Sequence, residues 1–86
     1  MRIQIKACRL HDVREFLRIY GYGAFYVDGY REESDGLLPV EVWTIESASA
    51  EIGSIKYPIT DKLTPRNVSM LIIDRIEKWR KEIYGR

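Results

Sequence analysis

Residues 24–46 read AFYVDGYREESDGLLPVEVWTIE. Two runs rich in Val, Ile, Tyr and Trp alternate with polar residues, and Asp35-Gly36 stands between them. Alternation with a period of two marks strands, and Asp-Gly supplies the positive φ angles of a tight hairpin turn. A two-residue turn there pairs Ser34 with Leu37, Glu32 with Pro39, Tyr30 with Glu41, Asp28 with Trp43 and Tyr26 with Ile45. The alternate face then holds Phe25, Val27, Gly29, Arg31 and Glu33 beside Thr44, Val42, Val40 and Leu38. This second set is the more aliphatic and is expected to face the core. Asp28, Glu32 and Glu41 are left on the outer face among Tyr26, Tyr30, Trp43 and Ile45.

Upstream of the hairpin, Met1–Ala7 alternates Ile3, Ile5 and Ala7 against Arg2, Gln4 and Lys6, the pattern of a strand. LHDVREFLRIYGYG follows with Leu10, Val13, Phe16, Leu17 and Tyr20 at helical spacing. Asp12 and Glu15 suit its N-terminal turn and Gly21 its stop. Downstream, ASAEIG is a small-residue turn and SIKYPI a further strand, with Pro58 suited to an edge or a strand end. The clearest element is TPRNVSMLIIDRIEKWRKEIYGR. Thr64 is a good N-cap, Pro65 a favoured first residue, and Val68, Leu71, Ile72, Ile76, Trp79 and Ile83 form the apolar stripe. The order β-α-β-β-β-α predicts a single α+β domain over residues 1–86, a two-layer sandwich with both helices on one face of a four-stranded sheet. A right-handed strand–helix–strand crossover would make the first two strands parallel and the sheet mixed.

The chain of 86 residues is 45% hydrophobic, enough for one modest core. Its single cysteine, Cys8, excludes an internal disulfide and a cysteine-rich zinc module. The opening MRIQIKACRL lacks the apolar run of a signal peptide, and no stretch approaches the ~20 apolar residues of a membrane span. A cytoplasmic location is therefore expected. Gln4 and Asn67 are the only side-chain amides in a charge-rich chain, a composition common among thermophile proteins.

The net charge of +1 conceals a division. Residues 1–27 sum to +3, residues 28–51 to −6 and residues 52–86 to +4. Cross-strand and diagonal neighbours lie within roughly 5–8 Å, which brings Asp28, Glu32 and Glu41 into reach of one another on the expected outer face. With Glu33, on the other face, and Asp35, in the turn, they form the candidate metal set. Oxygen ligands of this kind suit a hard cation such as Ca²⁺. The EF-hand spacing fails, because the third position from Asp28 is Tyr30 and the twelfth is Pro39. Weak binding at an irregular site is the expectation, set against a solvated hairpin with local arginine pairs and an acidic dock for a basic partner.

Three rival sites remain. Cys8 and His11, with Asp12 adjacent, have a ligand-like offset but lack the second pair a zinc site requires. No other residue supplies the base and orienting group for a thiol nucleophile, so the sequence leans away from an enzyme. The terminal helix carries Arg75, Lys78, Arg80, Lys81 and Arg86, and the last four elements follow the α-β-β-β-α order of double-stranded RNA-binding domains. TPRNVSM lacks the lysine cluster those domains place at the start of that helix, and Asp74–Lys78, Glu77–Lys81 and Lys78–Glu82 pairs account for much of its charge. Nucleic-acid binding is the rival to the cation. The third is an aromatic patch of Tyr26, Tyr30, Trp43 and Ile45, a face suited to a homodimer or another protein.

Through the strand RIQIKA, the hairpin FYVDGYREESDGLLPVEVW and the terminal amphipathic helix, the chain is similar to small uncharacterised α+β proteins of thermophilic methanogenic archaea. Calcium binding has been proposed in that group, and the resemblance implies the same for this chain without assigning residues to it.

Overall fold

The structure, a computed structural model, describes residues 1–85. Its elements run β1 (Arg2–Gln4), α1 (Ala7–Ile19), β2 (Tyr26–Glu32), β3 (Val40–Glu46), β4 (Glu51–Pro58) and α2 (Pro65–Tyr84). The α+β class and the element order follow the sequence pattern. The four strands form one sheet in the order β1-β2-β3-β4, and every neighbouring pair is antiparallel.

The parallel pairing of β1 with β2, and with it the mixed sheet, is corrected. β1 is three residues long rather than seven, because the chain turns helical at Ala7 after Ile5 and Lys6. Arg9 at the start of α1 reaches Glu41, and Arg14 further along reaches the Val27 carbonyl. The helix therefore runs along the sheet in the direction of β1 instead of doubling back. A single reversal through residues 20–25 then brings β2 home antiparallel. The crossover rule concerns chains that return to a parallel strand, and this one does not. The early start also moves Asp12 and Glu15 out of the first turn, which contains no acid, and Lys6 at the N-cap makes no side-chain cap.

The hairpin register is corrected by one residue. Tyr26 pairs with Glu46, Asp28 with Thr44, Tyr30 with Val42, Arg31 with Glu41 and Glu32 with Val40. The turn does sit at Asp35-Gly36: the Leu37 N–H donates to the Ser34 carbonyl at 3.2 Å, with Gly36 at φ +75°. Pairing, however, does not begin beside it. Residues 33–39 stay outside the ladder, Pro39 among them, which has no N–H to contribute. Replacing a connection of two residues by one of seven changes its parity, and β3 turns over relative to β2.

Val27, Trp43, Ile45 and Ile55 consequently share the inner face, in one hydrophobic cluster with Val13 and Leu17 of α1 and Val68, Ile72 and Ile76 of α2. Trp43 is 1% exposed. It fits because Gly29 lies opposite: a Cβ there would come 2.6 Å from Ile5 Cδ1 and 3.0 Å from the indole. Val42, on the outer face, is nonetheless buried, with Tyr30 and Lys56 as its cross-strand neighbours. The last rung of the β3–β4 ladder is bulged, so that Gly53 faces Ile45 while Glu51 faces Glu46. Gly53 adopts φ +131°, and Arg75 of α2 donates to the adjacent Ile52 carbonyl at 3.0 Å. α2 starts as its sequence indicates, with Thr64 Oγ1 accepting from the Asn67 N–H and Pro65 in the first position.

Candidate functional site

The register decides which carboxylates meet. Glu41 lies on the inner face, 5% exposed, in a bidentate pair with Arg9: Nε donates to Oε2 at 2.9 Å and a terminal nitrogen to Oε1 at 2.8 Å. The Trp43 indole N–H also donates to Oε1, at 2.6 Å, and Arg9 donates to the Leu63 carbonyl at 2.6 Å. This network ties α1, β3 and the approach to α2 together, and it occupies both oxygens of Glu41.

Asp28 and Glu32 sit on the opposite face. Asp28 is exposed, and its Oδ1 accepts from the Gly29 N–H at 2.9 Å. Glu32 is half-exposed with Lys56 Nζ 3.9 Å away. Glu33 lies 2.7 Å from Arg31 Nε but off the N–H direction, so that contact is Coulombic and the nitrogen stays without an acceptor. Asp35 is exposed in the turn. The convergence expected of Asp28, Glu32 and Glu41 does not occur. Among the described residues no group of three or more His, Cys, Asp or Glu is placed to hold a metal ion.

The aromatic patch shrinks for the same reason, since Trp43 and Ile45 belong to the core. Tyr26 remains 59% exposed, and Tyr30 lies under the Arg2 guanidinium at 4.4 Å. The outer face is electrostatically divided. Toward the hairpin tip, Arg2 and Lys56 attend Tyr30 and Glu32. Toward the other end, Glu46 faces Tyr26 on one side and Glu51 on the other, with Asp28 two rungs along on the same face. All three carboxylates are exposed, and among the described residues none has an ion-pair partner within 4 Å. The unexpected members of this strip are Glu46 and Glu51. The bulge and loop parity that align them leave no motif to read.

Several basic residues prove to be internal fastenings. Arg14 donates twice to the Val27 carbonyl, at 3.1 and 2.8 Å, and Arg75 holds the bulge. Arg80 pairs with Glu77 at 3.0 Å and lies over the Tyr22 and Phe25 rings. Lys78 and Lys81 are exposed on α2, while Arg86 lies outside the described residues. Tyr22 Oη donates to Glu77 at 2.7 Å. That bond, then burial and the Glu77 charge, raise the phenol above its ordinary range. On α1, Arg18 bonds Glu15 and thereby lowers the Glu15 carboxyl. Cys8 is exposed with a free thiol, and His11 is exposed one turn along. No described helix is long and apolar enough to cross a membrane.

Comparison of the chain with protein-family models, with curated proteins and with solved structures gave no significant match.

Proposed function

We propose that the protein is a non-enzymatic binding module that takes a positively charged protein partner on the acidic end of its outer sheet face. In this reading both helices cover the inner face and leave the outer one open. The observation that carries it is the direct opposition of Glu46 and Glu51, with Asp28 and the exposed Tyr26 alongside. Like charges facing each other across a ladder destabilise a sheet by roughly 0.2–1 kcal/mol. A cationic side chain placed among them removes that repulsion, and Tyr26 offers a ring face on which an arginine or lysine can stack. The fastening of Arg9, Arg14, Arg75 and Arg80 within the molecule weighs against the basic nucleic-acid surface as the principal site.

A second reading retains calcium and moves it from the hairpin set to this strip. Glu46 and Glu51 present facing oxygens, and water would complete the roughly six to eight that Ca²⁺ accepts. An NMR titration with an oligolysine peptide, with CaCl2 and with duplex RNA separates the readings. The partner reading expects saturable shifts at Tyr26, Asp28, Glu46 and Glu51 with the peptide, abolished in Glu51→Lys. Saturation by calcium with no response to peptide selects the cation. Shifts centred on Lys78 and Lys81 with RNA, falling steeply with salt, select nucleic acid. No saturable outer-face shift with peptide or calcium overturns both outer-face readings.

A further inference from the structure

We infer a second binding site, for a small organic anion, in the cavity between β1, the start of α1 and the 59–63 loop. The cavity has a volume of about 400 Å³, within the range of about 300–1,000 Å³ typical of small-molecule pockets. Lys6, Arg9 and Arg31 line it, and Glu41 is its only acidic wall residue among the described residues. Both oxygens of Glu41 are committed to Arg9 and Trp43, and Glu33 stands against Arg31 from outside the cavity, so the excess positive charge is that of Lys6.

Two guanidiniums there keep unused donors. Arg31 Nε is covered by the Glu33 carboxylate at 2.7 Å, but the terminal nitrogens of this half-exposed side chain make no hydrogen bond among the described residues. Those terminal nitrogens are open to an anion entering the cavity, which would gain charge-assisted hydrogen bonds from them. Arg9 spends Nε and one terminal nitrogen on Glu41 and Leu63, and its remaining terminal nitrogen makes no hydrogen bond among the described residues. Both guanidiniums line the cavity, Arg9 from α1, where its bidentate pair fixes it, and Arg31 from β2, in the rung that it shares with Glu41. Planar forks of this kind match a carboxylate or a phosphate.

The remaining walls give the ligand its other half. Ile3, Ile5, Ile59 and Leu63 are apolar, and Thr60 adds one hydroxyl. The site therefore fits an anionic head, carboxylate or phosphate, at Arg9 and Arg31 with a short hydrocarbon tail along β1 and Leu63. It lies on the inner face, through the sheet from the acidic strip, and does not depend on the partner reading.

The test is an NMR titration of the full chain with sodium octanoate and, separately, with inorganic phosphate. Octanoate is expected to give saturable shifts at the Ile3, Ile5, Ile59 and Leu63 methyls and at the Arg9 and Arg31 guanidiniums, with phosphate competing for the head. Arg31→Gln is expected to weaken octanoate binding at least about tenfold, the value of a charge-assisted hydrogen bond. Lys6 is exposed and outside the Glu41 network, so Lys6→Gln is expected to fold normally and weaken binding more mildly. Two results overturn the site: no saturable shift at millimolar octanoate, or an affinity unchanged in both variants.

Discussion

Glu41 shows how one side chain divides a fold from a function. Its spacing from Asp28 and Glu32 made it a metal ligand, yet its carboxylate is buried against Arg9 and the Trp43 indole. Removing one member of a buried ion pair strands the other. Arg9→Ala is therefore expected to destabilise the protein by about 3–5 kcal/mol, measured by urea unfolding. Replacing the pair together, Arg9→Met with Glu41→Leu, is expected to recover much of that loss, though Trp43 Nε1 then lacks its acceptor. A double variant no more stable than Arg9→Ala would refute this account. Gly29 is the complementary case. A methyl group there meets Ile5 and Trp43 on the packed inner face, so Gly29→Ala should cost about 1–3 kcal/mol by overpacking. Both effects were hidden in the sequence, because the expected parity placed Trp43 outside and set Gly29 beside Thr44 and Val42 instead of the indole.

Among the elements, legibility tracks how much of the signal is local. α2 carries its cap, its proline and its apolar stripe within its own residues, and the structure reproduces all three except for Ile83, the last of the stripe, which is exposed. The hairpin turn is local too, and Gly36 adopts the positive φ expected of it. Its register is not local, since it depends on where pairing resumes after Leu38-Pro39. The start of α1 is similarly undetermined by capping chemistry, as Lys6 supplies none. The contact between the loop after α1 and the body of α2 offers a pH test. Tyr22 donates to Glu77, and its folded pKa is raised. A raised folded value favours the protonated phenol in the native state. Its stabilisation is full below the ordinary tyrosine range near pH 10 and is lost as pH rises through the higher folded value. Tyr22→Phe is expected to cost about 1 kcal/mol at pH 7 through the lost hydrogen bond. The difference from wild type should shrink above pH 10, followed by circular dichroism.

At the scale of the molecule, the strand count and the helix–strand order were legible, whereas strand direction was not. Direction followed from β1 being too short for α1 to double back over it. The charge division was also legible as a run, but its meaning changed with the fold. The acidic segment does not gather at the hairpin tip. It spreads over two faces, with Glu41 buried, Glu33 beside Arg31, and Asp28, Glu46 and Glu51 at the far end of the outer face. Glu46 and Glu51 repel each other in the free protein, which makes a prediction about stability without knowledge of the partner. Glu51→Lys converts the facing pair from repulsive to attractive and is expected to stabilise the fold by about 0.5–1 kcal/mol at low ionic strength. Both residues are exposed, so screening should reduce the gain markedly by about 1 M NaCl, where the Debye length falls to roughly 3 Å. Thermal unfolding of the two proteins across a salt series measures it. The same variant should lose the oligolysine response, so a binding surface kept at the expense of stability predicts opposite signs for the two measurements. A destabilised Glu51→Lys would show that the strip is not strained, and a stabilised one that still binds the peptide would show that it is not the site of docking.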